Sequence, residues 1–240
     1  MRTTSKRRWI LLCLLLAAAI CAPAQQVALK AHVELTNNGN RLKDASQAVV
    51  WLTPLGTTVA TPVQNPSQIP QLVQKNKSFQ PSLVVVPVGG KVEFPNRDPF
   101  LHNVFSLFEG ERFDLGLYES GMSRFVHFDR PGISFIFCNI HVEMHAVVIA
   151  LATPYYAISD TRGDLRILNV PPGRYMMEVF HTSVAPEALR AMSREITVGA
   201  GDSSIGTFTL SESSLATSHK NKYGRDYDRP EPDSPAYVHP

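Results

Sequence analysis

Ile133-Ser134-Phe135-Ile136-Phe137-Cys138-Asn139-Ile140-His141-Val142-Glu143-Met144-His145-Ala146-Val147-Val148-Ile149-Ala150-Leu151 is the stretch on which the reading of this chain turns. Ile133 to Cys138 reads as a strand with Phe135 and Phe137 on one face, and Val147 to Leu151 as a second strand. The polar segment between them carries Cys138, His141 and Met144 at intervals of three. A thiol, an imidazole and a thioether on one tight loop can converge on a point.

Outward from this stretch the same texture repeats. Leu83 to Val86 is a β-branched run, Gly89-Gly90 a turn, and Lys91 to Phe94 an alternating strand. Phe125 to Phe128 is another strand, followed by the turn Pro131-Gly132. Upstream, Val27 to Leu35 and Ala48 to Leu52 are strands, separated by the turn Asn37-Asn38-Gly39-Asn40. Residues 56–70 form a polar connector. Downstream, strands are expected at Tyr155–Ile158, Leu165–Leu168, Tyr175–Phe180, Glu195–Val198 and Gly206–Leu210, with one short helix at Pro186–Arg194. Short strands at regular spacing with turn signals between them indicate an all-β sandwich or barrel. After Leu215 the sequence turns polar and Pro-rich, and residues 213–240 read as a flexible tail.

The chain has 240 residues and three cysteines, with 23 Lys+Arg against 21 Asp+Glu. Residues 1–24 read as an export signal. Arg2, Lys6, Arg7 and Arg8 precede an apolar run from Trp9 to Ile20, and Ala22-Pro23-Ala24 supplies small residues before a cleavage at Gln25. The apolar run is short for a bilayer span, and Ile20 is a poor neighbour for lipidation of Cys21. The expectation is a soluble periplasmic or secreted protein with no membrane span in its mature form. Removing residues 1–24 leaves 19 bases against 21 acids, a net charge of −2, and takes away Cys13 and Cys21. That balance argues against nucleic-acid binding. It also leaves Cys138 alone in an oxidising compartment, where it cannot form an internal disulfide.

His102 lies 36 residues before Cys138, after the strand ending at Phe94. If the two strand ends are neighbours, His102, Cys138, His141 and Met144 offer two imidazoles, one thiolate and one thioether. Soft sulfur ligands prefer Cu(I), and imidazole accepts either copper oxidation state. Zinc would prefer a harder fourth ligand than thioether. The set therefore points to one copper ion exchanging one electron. His145 is a spare candidate beside Met144, His127 reads as a structural strand residue, and His32 and His181 carry no spacing signal. His141-Val142-Glu143-Met144-His145 lacks the helix and the Glu placement of a zinc protease, and Gly89-Gly90-Lys91 lacks the helix of a phosphate loop. No Ser-His-Asp set or paired carboxylates stand out, so no catalytic residue is named and no enzyme activity is expected.

The segment from about Phe79 to Thr153 resembles the cupredoxins, the blue copper family of plastocyanin, amicyanin and pseudoazurin. The resemblance is carried by Val85-Val86-Pro87-Val88-Gly89, Phe94-Pro95-Asn96, His102-Asn103-Val104 and Cys138-Asn139-Ile140-His141, with an amicyanin-like short Cys-x₂-His-x₂-Met loop. It extends to exported proteins of methylamine-utilisation type. It implies a Greek-key β-sandwich over residues 66–153 holding one type 1 copper. In it His102, Cys138 and His141 are equatorial ligands, Met144 is axial, and the Asn103 backbone N–H bonds the ligand sulfur. It also implies an electron carrier whose partner redox protein docks near an exposed edge of His141. Val142 departs from the Pro common after this His, and Glu143 places a carboxylate nearby.

Asp160-Thr161-Arg162-Gly163-Asp164-Leu165 with Asn169-Val170-Pro171-Pro172-Gly173-Arg174-Tyr175 resembles the carboxypeptidase-regulatory-like, transthyretin-like sandwich. With Ala48 to Leu52 as its opening strand, it implies a second small β-sandwich built from residues 27–60 and 154–212, the copper domain being inserted into it. Tandem domains are the alternative. A copper-handling module without electron transfer, or a structural protein with a vestigial site, are the competing functions.

Overall fold

A computed structural model describes residues 26–56, 62–65, 67–107, 109–213 and 220–227. The expected export segment, 1–24, lies outside the described residues, as do 214–219 and 228–240 of the expected tail. No helix among the described residues is long and apolar enough to cross a membrane.

The described residues begin with strands β1 (Val27–Asn37), β2 (Asn40–Arg41) and β3 (Val49–Pro54). In β1 the apolar residues Val27, Leu29, Ala31, Val33 and Leu35 alternate with polar ones, and all five are buried. A period of two places them on one face. Asn38 and Gly39 both take positive φ, as a two-residue hairpin turn requires, and Asn37 pairs with Asn40 across it.

Among the described residues, the middle of the chain supplies nine strands. These are β4 (Val73–Gln74), β5 (Phe79–Gln80), β6 (Leu83–Pro87), β7 (Gly90–Pro95), β8 (His102–Ser106), β9 (Phe113–Tyr118), β10 (Ser123–Phe128), β11 (Gly132–Phe137) and β12 (His145–Leu151). Five of them form a sheet in the order β6-β12-β11-β8-β9, with β6 parallel to β12. The facing layer is the antiparallel pair β10-β7, which the β4-β5 hairpin joins through a bridge from Gln74 to Asn96, with a second bridge from Gln71, just before β4, to Glu93. Phe94, Val92, Val104, Phe128, Ile136 and Val148 fill the space between the layers.

The last strands are β13 (Tyr156–Ile158), β14 (Asp164–Val170), β15 (Gly173–Phe180), β16 (Arg194–Val198) and β17 (Ser204–Ser211). They return to the first three. One sheet runs β14-β1-β17 with β2 on β1, the other β13-β3-β15-β16. Leu29, Val33, Leu52, Ile167, Met177 and Phe208 belong to their common core. The helix α1 (Pro186–Met192) ends two residues before the expected Arg194, because Arg194 pairs with Met177 at the start of β16.

Strand β12 shows why its sequence reads as an unbroken apolar run. Ala146, Val148 and Ala150 face the core of the middle layers, while Val147, Ile149 and Leu151 enter the core built by the first and last strands. A strand covered on both faces has no polar alternation to display. The structure is thus all-β apart from one short helix among the described residues.

Candidate metal centre

Strands β8 and β11 bring the distant donors together. Phe105 pairs with Phe137 in antiparallel register. His102 lies three residues before Phe105 and Cys138 one residue after Phe137, so both sit at the same end of the pair. The sequence marks no strand at His102, placing it only after the strand ending at Phe94, whereas it opens β8. All five residues of β8 are buried, which removes the alternation that marks a strand. A register shift between Asn103 and Phe105 against β9 adds a local irregularity beside the site, a place where bulges commonly re-aim side chains.

His102, Cys138 and His141 each offer a ligand atom, and these atoms lie within 4.8 Å of one another, all three residues being buried. The Nδ1 atoms of His102 and His141 stand 3.8 and 3.6 Å from the Cys138 sulfur. The loop that carries Cys138 and His141 closes on itself. The Met144 N–H donates to the His141 carbonyl at 3.1 Å, and the Cys138 N–H to the Met144 carbonyl at 3.2 Å. Met144 is fully buried in the same apolar cluster as Cys138, while its neighbour His145 is exposed and its ring Nδ1 lies 3.1 Å from the Glu143 carbonyl. His127 lies exposed on β10, and His32 and His181 sit among the first and last strands.

The imidazole protonation states suit a metal. Burial pushes the Cys138 thiol up, and backbone hydrogen bonds from Asn103, Ile140 and His141 pull against that shift. Those N–H groups are already aimed at the atom that would carry the negative charge of a thiolate. Burial, with the neighbouring His102, lowers His141 to about 4. Burial also lowers His102, although Asp98 opposes it. Both imidazoles are therefore neutral near pH 7, the form in which a ring nitrogen has a lone pair to give.

Sequence reasoning did not single out two carboxylates. Asp98 Oδ2 accepts the Nε2–H of His102 at 2.8 Å, leaving Nδ1 as the lone-pair nitrogen toward the sulfur. Asp98 also accepts the Asn76 and Lys77 N–H groups at 2.6 and 2.9 Å. Burial raises its carboxyl, but the bonds from His102, Lys77 and Asn76 outweigh that and hold it below the usual carboxylate range. Asp114 on β9 accepts the Asn103 side-chain N–H at 2.7 Å and the Gly116 N–H at 3.0 Å. The available signal was Asp98 four residues before His102, in a turn-forming Asn-Arg-Asp-Pro segment. For Asp114 there was none.

His141 departs from the expectation of an exposed edge, being 5% exposed. The Phe100 and His102 rings lie 5.7 and 4.9 Å from its own. The open surface beside it is Val142, at 48% exposure.

No family model matches the chain, and no curated protein matches it by sequence. Solved structures with partial likeness include the Cu-containing nitrite reductase (NirK) from Thermus scotoductus SA-01, at 23% identity and a TM-score of 0.35 over 42% of this chain. The likeness spans 26% of that reductase. The novel purple cupredoxin from Nitrosopumilus maritimus is 20% identical, with a TM-score of 0.31 over 34% of this chain and 99% of its own. Amicyanin from Paracoccus versutus is also 20% identical, with a TM-score of 0.34 over 42% of this chain and 97% of its own.

Proposed function

We propose that the protein is an exported cupredoxin-type carrier that holds one type 1 copper with His102, Cys138, His141 and Met144 and passes single electrons to a partner redox protein. The observation that carries this reading is the convergence of two imidazole Nδ1 atoms on one buried thiol. Two imidazoles and a thiolate with a thioether nearby form the trigonal set suited to copper electron transfer. Bound copper would supply one-electron exchange between Cu(II) and Cu(I). The chain's own part is to hold the donors still. Asp98 fixes the His102 proton on Nε2, the closed Cys138–Met144 loop limits rearrangement, and the backbone N–H groups of Asn103, Ile140 and His141 moderate the charge on sulfur. Val142 is the surface point through which a partner would approach. Export rests on residues 1–24 alone.

The pairing of β1 with β14 and β17, and of β3 with β13 and β15, supports an inserted arrangement in which residues 66–153 interrupt a sandwich of residues 27–60 and 154–212. The carboxypeptidase-regulatory-like identity of that sandwich rests on its turn motifs.

The test is Cu(II) loading of the purified protein. An intense visible sulfur-to-copper band is expected, lost in Cys138→Ser, together with reversible voltammetry. A band that survives Cys138→Ser refutes the site. Tight Cu(I) binding without a stable Cu(II) form would favour copper delivery instead.

A further inference from the structure

Residues 213–240 read as a flexible tail, yet within them residues 220–227 fold against the Cys138 loop. The segment is ordered by its own bonds. Asn221 Oδ1 accepts the Tyr223 and Arg225 N–H groups at 2.9 and 3.0 Å, and the Asn221 N–H donates to the Arg225 carbonyl at 2.9 Å. Gly224 supplies the positive φ this turn needs.

Three contacts tie the segment to the site. The Tyr227 hydroxyl donates to the Cys138 carbonyl at 2.8 Å. The Lys222 N–H donates to Asn139 Oδ1 at 3.0 Å. The Lys222 ammonium donates to Asp114 Oδ2 at 2.8 Å, and the other oxygen of Asp114 holds Asn103. The Lys222 side chain is only 20% exposed, an uncommon degree of burial for lysine. Two residues past β17, the Ser213 N–H donates to the Ser183 carbonyl at 2.8 Å.

We infer that residues 220–227 are a strap that holds the Cys138–His141 loop closed over the thiol, with Lys222 and Tyr227 as positioning residues for the groups that hydrogen-bond the sulfur. Lys222 acts through Asp114 on Asn103, and Tyr227 acts on the peptide that follows Cys138. The effect on copper rests on the function proposed above, whereas the shielding of the thiol does not.

The test compares the full chain with Lys222→Ala, Tyr227→Phe, Lys222→Arg and a chain ending at Ser213. In metal-free protein, the rate of iodoacetamide alkylation at Cys138 is read by peptide mass spectrometry. Two neutral hydrogen bonds and one ion pair correspond to roughly a ten- to hundredfold change in the opening equilibrium. Truncation is expected to speed alkylation by about that factor, and each of Lys222→Ala and Tyr227→Phe by about three- to tenfold. Lys222→Arg should restore most of the protection.

With copper loaded, loosened N–H bonds to sulfur should lower the reduction potential in Lys222→Ala and leave it near the parent value in Lys222→Arg. Equal alkylation rates in the parent and both single variants would overturn the strap, even if truncation prevents folding. A faster rate in Lys222→Ala whose potential does not move in a copper-binding protein would overturn Lys222 as a positioning residue for the N–H groups on sulfur. A thiol that the strap shields in a protein forming no copper band would instead count against the copper reading alone.

Discussion

Replacing Asp98 by Asn tests the geometry of the centre without needing a metal. The carboxylate accepts three N–H groups, from His102 and Lys77 on Oδ2 and from Asn76 on Oδ1. An amide has one acceptor oxygen. Turned toward His102 and Lys77, it sets its NH₂ against the Asn76 N–H, and turned the other way it confronts two donors. The better orientation orphans one donor, at about 1–3 kcal/mol, and reduces two charge-assisted bonds to neutral ones, at about 1 kcal/mol each. The expected loss is therefore about 3–5 kcal/mol, read by urea unfolding of the metal-free protein. The depressed Asp98 value contributes stability that is present above the ordinary 3.8 and lost as pH falls through the lower folded value. The gap between parent and variant should accordingly narrow in that acid window. The second readout is the imidazole tautomer. If the amide NH₂ faces His102, the ring proton moves to Nδ1, the nitrogen that faces the sulfur, and ¹⁵N spectra of the ring would show it. Copper affinity should then fall by about ten- to a hundredfold. A cost below about 0.5 kcal/mol, the size of a typical exposed ion pair, with the tautomer unchanged, would refute the reasoning.

Gly163→Ala is expected to cost more than about 3 kcal/mol, since its φ is +88° and a Cβ there would stand 2.0 Å from the Val33 carbonyl oxygen. Gly39→Ala, with a similar φ of +79° and open space around it, should cost only about 1 kcal/mol, so equal thermal shifts would contradict the packing of β1 against the 160–164 turn. Burial raises the Glu178 carboxyl, and the hydrogen bond from the Trp51 ring only partly offsets this. A raised carboxyl makes the fold lose stability as pH rises from 4.5 through the folded value. Glu178→Gln keeps an acceptor for Trp51 and should flatten that part of the melting-temperature profile, and an unchanged profile would count against the burial.

What could be read from the chain followed from how each feature is encoded. Strand β1 was visible because one of its faces is buried and one is not, and Cys138, His141 and Met144 stood out because the loop that gathers them is seven residues long. Strand β8 was not visible because both faces are covered, and His102 drew notice through its residue type and the family pattern around it. The contacts of residues 220–227 span 83 to 108 positions in the chain. No period or local motif records a bond of that separation, and polar, Pro-rich composition signals only that a segment cannot form a core of its own. Eight residues can nonetheless be fixed by a few hydrogen bonds to a surface that is already rigid, since only the segment's own entropy opposes them. Composition therefore reports whether a segment can fold by itself, and the completed sandwich decides whether it is held. The same logic covers Asp98 and Asp114, whose side chains are ordinary turn and strand carboxylates until β8 brings His102 and Asn103 within reach of them.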